Sequence, residues 1–357
     1  MTIEKQALDS LIKKSRVHFY KPIQIAEILR RNRLAGLNVD DLNNYRSPSK
    51  RWRDEVSIRL VGNVSTSSSR FQDNVFDDNA IPPNILSALA ATNIETEGMI
   101  EAYIYQSLIA KMNDFGDIHK YLTKTTINTF NLEKLLELFS NNPGLRRSMD
   151  KVYEIVAYAL FETVIDALDV QISLSMNSLN DKLISDFALF TEKIFGLKPD
   201  KTTRIEKAKV FRVGATNAND GGLDLWSNFG PAIQVKHFTI NANHLGSITS
   251  TVKAEKFIVV CMDAEKEIIN SVLHQAGAYP KVQSIVTLTD LINWYNIALS
   301  LDYEKAIGSN LIKTLLNEFE YEFPSNKELP AFINERGYDL FVLPDSWQQS
   351  KESFSNR

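Results

Sequence analysis

The chain has 357 residues, of which 44% are hydrophobic and 24% are charged, a composition typical of a globular protein with one large domain or two modest ones. The formal net charge of −4 is not that of a uniformly basic nucleic-acid binder, so any basic surface must be confined to one face. The single cysteine, Cys261, excludes an internal disulfide, and no stretch approaches the ~20 apolar residues of a membrane span; we expect a soluble, cytoplasmic protein.

Helical spacing dominates the first half of the chain. Apolar residues at helical intervals predict a helix over residues 22–33, with Pro22 in its first turn. A polar, basic passage at 43–53 leads into an alternating run that predicts a strand over 56–61. The serine-rich and acidic stretches between 65 and 78, and Pro82-Pro83, predict loops. Further helices are predicted over 85–91, 99–112, 132–139 and 149–168.

The pattern changes near Asp181. One more amphipathic helix, 183–195, is closed by Gly196, and short β-rich runs follow it. The predicted strands are 209–213, 223–226, 232–240, 256–262 and 284–288, with helices at 265–275 and 291–299. This order predicts an α/β fold, a central mixed β-sheet flanked by helices, behind a largely helical N-terminal region.

Two of the predicted strands carry polar residues that can meet. Asp224 lies in the strand 223–226, and a turn rich in Ser, Asn, Gly and Pro joins it to the next strand, which is a hairpin signature. Gln234 and Lys236 are two residues apart on that second strand, so both side chains point to one face. The acid and the Gln-x-Lys pair can therefore converge on one point.

That combination suits phosphodiester hydrolysis. A carboxylate such as Asp224 can hold a divalent cation that polarises a phosphoryl group, and the amide oxygen of Gln234 is an acceptable hard ligand for Mg²⁺. Lys236 can orient or deprotonate the attacking water and offset charge that builds on the phosphate. A solvated strand face without function is the plain alternative, and a metal site formed by His237 and His244 is another.

The segment from Asp224 to Gln234-Val235-Lys236 resembles the PD-(D/E)XK nuclease motif, in the version where Gln replaces the second acid. From Ser15–Pro22 through the Gln-Val-Lys strand, the chain resembles the HaeII family of type II restriction endonucleases. The resemblance implies that Asp224 is the metal-binding acid, that Gln234 stands in for the second acid and that Lys236 is the catalytic lysine. The chain differs from the usual motif in two ways: no Pro precedes Asp224, and Gln234 is neutral at the position of the second, negatively charged acid.

Because one charge is missing, another carboxylate is expected at the metal. Glu154, on the helix 149–168, is the first candidate, since members of the superfamily often carry a Glu on the helix before the sheet. Glu192 is the second candidate and Asp220 is the third. The resemblance further implies Mg²⁺ as cofactor, double-stranded DNA with a GC-rich palindromic site as substrate, a homodimer, and a cognate DNA methyltransferase in the same system.

A basic segment interrupted by an aromatic residue is the predicted DNA contact. Cationic side chains neutralise backbone phosphates and release counterions, whereas base edges are read by Arg, Lys, Asn or Gln. The predicted contacts are Arg46, Lys50, Arg51, Trp52 and Arg53, together with Asn217, Asn219 and Asp220 just before the catalytic hairpin. A solvated loop with Trp52 packed in the core is the alternative.

These inferences divide the chain into a helical recognition region (1–145), a nuclease core (146–300) and a helical extension packed on the core (301–357). Sequence-specific cleavage is the favoured function. A repair or junction-resolving nuclease on the same fold, and a catalytically inert DNA-binding protein, are the alternatives. No phosphate-binding Gly-x-x-x-x-Gly-Lys loop and no dinucleotide-binding Gly-x-Gly-x-x-Gly turn occurs in the chain.

Overall fold

The computed structural model describes residues 2–15, 19–62, 64, 74–76, 80–142, 145–213, 223–236, 254–263, 267, 270–271, 281–324 and 328–347. The predicted α/β class is confirmed: helices fill the N-terminal part, and a mixed sheet with flanking helices follows. Two clusters of buried apolar side chains hold these parts together, one among the N-terminal helices and one against the sheet.

The N-terminal cluster is built from five helices and is closed by the end of the chain. The helices are α1 (Ile3–Lys14), α2 (Tyr20–Ala35), α3 (Pro48–Val61), α4 (Pro83–Glu95) and α5 (Met99–Asp114). The predicted helices at 22–33, 85–91 and 99–112 are thereby confirmed. Helix α2 is buried on nearly every side in its first half, and α3, α4 and α5 pack around it. This explains its long apolar run.

The predicted strand at 56–61 is wrong, because these residues form the second half of α3. Alternation of Val56, Ile58 and Leu60 imitates a strand, yet Ile58 is 58% exposed. The buried side chains of this helix instead recur at helical spacing, from Arg53 through Val56 and Leu60. Of the predicted loops between 65 and 78, the structure describes only Asn74–Phe76, which form a short 3-10 helical turn. Pro83, predicted as loop, is the first residue of α4, where a proline fits because the first turn needs no backbone donor.

Helices α6 (Gly116–Lys124), α7 (Leu132–Ser140) and α8 (Met149–Ala167) lead into the sheet, and the last two confirm the predictions. The sheet contains β3 (Val210–Arg212), β4 (Leu225–Ser227), β5 (Ala232–Val235), β6 (Phe257–Cys261) and β7 (Val282–Thr287) in that order. Strands β3 to β5 are antiparallel, and β5 to β7 are parallel, so the sheet is mixed as predicted. The predicted helix 265–275 lies mostly outside the described residues.

One face of this sheet packs on α8. Leu225 lies opposite Ile233 across the hairpin, and both belong to the second buried cluster, together with Val235 and Val260. Residues of the other parity, such as Trp226 and Gln234, therefore point to the opposite face. The strict alternation explains how an apolar strand can present an amide and a lysine on one side.

Between α8 and β3 the chain forms an arm, residues 168–208. It contains β1 (Gln171–Ser175) paired antiparallel with β2 (Thr203–Lys207), and the short helices α9 (Asp181–Asp186) and α10 (Ala188–Phe195) between them. The single predicted helix over 183–195 is wrong at Phe187, where the backbone leaves the helical region (φ −105, ψ 16). Gly196 ends α10 with φ +67, as predicted for the closing glycine.

The C-terminal part contributes to both buried clusters. After β7 come α11 (Leu288–Ala298), a π-helical turn at Glu304–Gly308, α12 (Ser309–Glu322) and α13 (Leu329–Glu335). Helix α12 packs along α8, whereas α13 and Tyr338 join the N-terminal cluster. Among the helices of the described residues, none combines the length and apolarity needed to cross a bilayer.

Candidate active site

The hairpin β4–β5 positions the predicted catalytic residues. The Ser227 hydroxyl donates to the Pro231 carbonyl (2.8 Å) and closes the turn, and Gly230 adopts φ +125 there, a conformation that favours glycine. Asp224 directly precedes β4 and does not lie inside the strand, so that detail of the prediction is wrong. The register that pairs Leu225 with Ile233 nevertheless continues toward Asp224 beside Gln234.

At the open end of the hairpin, where β4 and β5 separate, the Asp224 carboxylate accepts a hydrogen bond from the backbone of β5. Its Oδ2 accepts the Val235 N–H (2.8 Å) and lies 3.7 Å from Lys236 Nζ. Burial raises the pKa of Asp224 above its ordinary value, while Lys236, the Val235 N–H and Lys151 oppose that shift. The acid and the lysine predicted from the sequence therefore form an ion pair that is only partly exposed, with side-chain exposures of 19% for Asp224 and 23% for Lys236.

Gln234 is the most unusual residue of the hairpin. Its side chain is fully buried, and neither the amide oxygen nor the amide nitrogen has a hydrogen-bond partner within the described residues. Leaving a buried polar group unsatisfied costs about 1–3 kcal/mol, so such a group indicates a site that is completed by something else. Alternation along β5 puts this amide on the same face as Lys236.

Glu154 lies close to this hairpin on the buried side of α8. Its carboxylate is 2% exposed and accepts from Lys151 Nζ (2.5 Å) and from Arg212 Nη1 (3.1 Å). Burial raises the pKa of Glu154, the two cations oppose this, and the Asp224 charge adds to it. Both oxygens of Glu154 are therefore engaged by cations, although the carboxylate is near enough to Asp224 for the two charges to interact.

Arg212 joins Glu154 to α12, and sequence reasoning missed this role. Its guanidinium, 4% exposed, donates to Glu318 (2.7 Å) and Glu322 (3.0 Å) as well as to Glu154. Three carboxylates around one arginine keep the pKa of that guanidinium far above the ordinary range. No signal in the sequence connects residues so far apart; the apolar neighbours Val210 and Val213 were the only hint that Arg212 belongs to a strand.

The donor set has the character of a sparse magnesium site. Within the described part of the chain, no group of three or more His, Cys, Asp or Glu side chains is arranged to hold a metal ion. One carboxylate, Asp224, and one unpartnered amide, Gln234, still fit Mg²⁺, which keeps several waters and takes substrate oxygens as ligands. Of the alternatives, Glu192 pairs with Lys198 (2.9 Å) in the arm, and Asp220, His237 and His244 lie outside the described residues.

The predicted DNA-contact segment runs into helix α3 and is not a loop. Arg46 is exposed before the helix and Lys50 is half-buried within it, while Arg51 is 81% exposed and pairs with Glu55 (3.2 Å). Trp52 packs against the N-terminal cluster, and the Arg31 guanidinium lies 4.3 Å from its ring centroid. Lys50, Arg51 and Trp52 lie in the first two turns of α3, and Arg46 lies just before the helix.

Arg53 faces the interior. It is 2% exposed, and its guanidinium donates to Asp54 (2.6 Å) and to Gln24 (3.5 Å). In this conformation it supports the packing of α3 on α2 and presents no charge to the surface. Asn217, Asn219 and Asp220, the other predicted contacts, lie outside the described residues.

A mixed sheet on helices, with an acid, an amide and a lysine at the end of one hairpin, fits the nuclease class expected from the sequence. Comparison with known proteins narrows the class. The family model described as HaeII restriction endonuclease matches residues 4–338. The chain belongs to this family of type II restriction endonucleases.

Two relatives match over nearly their full length. The type II restriction enzyme HaeII of Haemophilus aegyptius is 43% identical over 340 residues, covering 94% of this chain and 97% of the relative. The type II restriction enzyme NgoBI of Neisseria gonorrhoeae is 43% identical over 350 residues, covering 96% and 99%. The chain is therefore a type II restriction enzyme, a site-specific deoxyribonuclease.

Proposed function

We propose that this enzyme hydrolyses both strands of double-stranded DNA at a short palindromic, GC-rich site, leaving 5′-phosphate and 3′-hydroxyl ends, with Mg²⁺ held by Asp224 and Gln234. The observation that carries the proposal is the fully buried, unpartnered amide of Gln234 beside the Asp224–Lys236 pair. Such an amide is unfavourable in a purely structural strand and favourable beside a cation.

Each residue of the hairpin has a distinct part in this proposal. When bound, Mg²⁺ supplies a positive charge that polarises the phosphoryl group and lowers the pKa of water. Asp224 provides the negative charge that retains the cation, and Gln234 provides a neutral oxygen. Lys236, whose ammonium lies 3.7 Å from the Asp224 carboxylate, orients the attacking water and offsets charge that develops on the phosphate.

Glu154 is the second carboxylate of the proposed site. Its electrostatic interaction with Asp224 supports this role. Because Lys151 and Arg212 bind both of its oxygens, Glu154 adds charge near the cation and fixes the two basic residues around it. Glu154→Gln should therefore weaken Mg²⁺ binding less than Asp224→Asn does.

The proposed DNA surface starts at α3. Arg46, Lys50 and Arg51 contact backbone phosphates, and Trp52 holds the helix on the N-terminal core. Arg53 contributes by anchoring α3 from inside, and Asn217, Asn219 and Asp220 remain proposed for base reading. A two-fold homodimer places one site on each strand, and a cognate methyltransferase protects the host's own target sites.

Cleavage mapping tests the proposal directly. Plasmid DNA is incubated with the purified protein and Mg²⁺ or EDTA, and the ends are sequenced. We expect discrete, magnesium-dependent fragments that share one short motif. Cleavage of branched but not linear duplexes would indicate a junction-resolving nuclease instead.

Two variants separate catalysis from binding. Lys236→Ala should abolish cleavage and retain specific DNA binding, whereas Lys120→Ala, at an exposed lysine of α6 (75% exposed), should change neither. Undiminished cutting by Lys236→Ala would rule out the assigned site. Gln234→Glu should strengthen Mg²⁺ binding measured by calorimetry, and failure of both forms to bind any divalent cation would favour an inert DNA-binding protein.

A further inference from the structure

The arm, residues 168–208, is built like half of an interface. Within residues 168–207 only Leu197 is buried, although the segment contains two strands and two helices. Eleven large apolar residues between Leu168 and Ile205 are at least 41% exposed, among them Leu179 (99%), Leu189 (64%) and Ile194 (61%). The arm thus has secondary structure without a core of its own.

The exposed apolar area exceeds what a free surface normally carries. At roughly 200 Å² for each large side chain, the fractional exposures amount to on the order of 1,000 Å². Monomeric proteins rarely expose contiguous apolar patches beyond about 300–600 Å², and a standard interface removes about 800 Å² from each partner. A protein partner that covers most of the arm matches this area.

The charges of the arm argue against DNA as that partner. Residues 168–208 contain six acidic and six basic side chains, so the segment has no net charge. Three of its six basic side chains are also paired with carboxylates: Lys198 with Glu192 (2.9 Å), Lys207 with Asp169 (3.3 Å) and Arg204 with Glu206. A phosphate backbone needs unpaired cations, whereas an apolar neutral surface suits protein.

The edge of β2 identifies a second copy of this chain as the partner. Strands β1 and β2 form a two-stranded sheet, and neither outer edge is paired with another strand of the described residues. Antiparallel pairing of β2 with itself is two-fold symmetric. If Ile205 of one chain pairs with Ile205 of the second chain, then Arg204 of each chain lies opposite Glu206 of the other. This follows because Arg204 and Glu206 are the residues directly before and after Ile205.

We propose that the arm joins two copies of the chain, with β2 pairing antiparallel to β2 of the second copy and the exposed apolar residues of α9 and α10 buried around that pair. This inference rests on the dimer of the proposed function and assigns its surface. Oligomeric mass is measured apart from cleavage, so the two proposals can fail separately.

Sedimentation of the full chain tests the surface. The 40.5 kDa chain should sediment at twice that mass. Combined substitution of Leu179, Leu189 and Ile194 by Gln should raise the dimer Kd on the order of 100-fold or more, with unchanged circular dichroism. The matched control substitutes Leu301, Leu340 and Val342, three highly exposed apolar residues outside the arm (84%, 81% and 92%), and should remain dimeric.

Charge reversal tests the strand register. Arg204→Glu and Glu206→Arg should each weaken self-association, since each places like charges opposite one another twice. An equimolar mixture of the two variants should recover dimers. In a mixed dimer, residue 204 of each chain faces an opposite charge at residue 206 of the other chain, whereas residues 204 and 206 within one chain still repel each other. Recovery therefore reports contact between chains.

Each result decides the proposal. A wild-type chain that stays monomeric with and without its target DNA would overturn it, and a monomer that still cuts both strands would leave the proposed cleavage reaction standing without its homodimer. A dimeric arm variant would place the interface elsewhere. Loss of DNA affinity at unchanged mass would identify the arm as a DNA contact, and lack of recovery in the mixture would refute the β2 pairing.

Discussion

Replacement of Arg212 by Met should destabilise the protein strongly at neutral pH. The substitution keeps most of the apolar stem and removes the charge that binds Glu154, Glu318 and Glu322. Breaking a buried ion pair by removing one partner costs about 3–5 kcal/mol, because the remaining charge stays buried. Glu154 and Glu322 are 2% and 4% exposed and carry most of this cost, whereas Glu318, at 25%, is partly solvated.

The loss of stability caused by Arg212→Met should depend on pH. Burial already raises the pKa of Glu154 in the folded state, and removal of Arg212 raises it further. A carboxyl group whose folded pKa exceeds its unfolded pKa binds more protons in the folded state, so stability falls as pH rises through that window. The deficit of Arg212→Met relative to wild type should therefore be smaller near pH 5 than near pH 8.

Urea unfolding followed by circular dichroism at both pH values is the assay. Total stabilities of about 5–15 kcal/mol leave room for Arg212→Met to fold, and Arg212→Lys, which keeps the charge, should lose less. Adding Glu322→Gln to Arg212→Met should recover part of the loss. A deficit below about 1 kcal/mol, or one equal at both pH values, would refute the reasoning.

Three further predictions concern single contacts. Magnesium-dependent cleavage should fall as pH decreases, and the midpoint of this pH profile should lie above the ordinary Asp pKa of 3.8, because burial raises the pKa of Asp224. Because protons and Mg²⁺ compete for this carboxylate, the midpoint should move to lower pH as the Mg²⁺ concentration rises. A midpoint that does not move would argue against this competition. Gly196→Ala and Gly62→Ala should each cost about 1–2 kcal/mol, because both glycines have φ near +70. A Cβ at Gly196 also meets the tip of the Arg204 side chain, but that side chain is flexible and 41% exposed and can move aside, so thermal melts should show similar losses; a much larger loss for Gly196→Ala would contradict this. Tyr338→Phe should cost about 1.5–3 kcal/mol in urea unfolding, because the buried Glu101 loses a hydroxyl donor, and a loss near zero would contradict this.

The sequence was sufficient to predict the elements whose buried side chains recur at regular spacing. Helix α2 and the sheet strands β5 and β6 carry apolar runs with clear boundaries, so their positions could be predicted. Strands β1 and β2 could not, because Gln, Ser, Thr and charged residues fill an exposed ribbon that lacks an apolar face. Their alternation, with Ile172, Leu174 and Ile205 among polar neighbours, was the one available signal.

The site was predictable where it is local. Asp224, Gln234 and Lys236 belong to one hairpin, so turn chemistry and alternation were enough to bring them together. Lys151 lies one turn before Glu154 on the same helix, but the second cation depends on tertiary packing: Arg212 lies on another element, and its carboxylate partners on α12 come more than a hundred residues later. The burial of Arg53 also depends on tertiary packing and could not be predicted, because composition cannot distinguish a buried arginine from an exposed one.

The contacts of residues 309–341 with earlier parts of the chain have a consequence for the order in which the fold forms during synthesis. The Tyr338 hydroxyl donates to Glu101, and the Gln106 amide donates to the carbonyls of Tyr338 (2.9 Å) and Phe341 (3.1 Å). Helix α12, on the other core, meets Arg212 through Glu318 and Glu322. Both buried clusters therefore stay incomplete until residues 309–341 have been synthesised, and contacts between residues this distant in sequence form slowly. A growing chain that has not yet reached residues 309–341 lacks the carboxylates that bind Arg212 and the contacts that close the N-terminal cluster, so the proposed site forms late in synthesis.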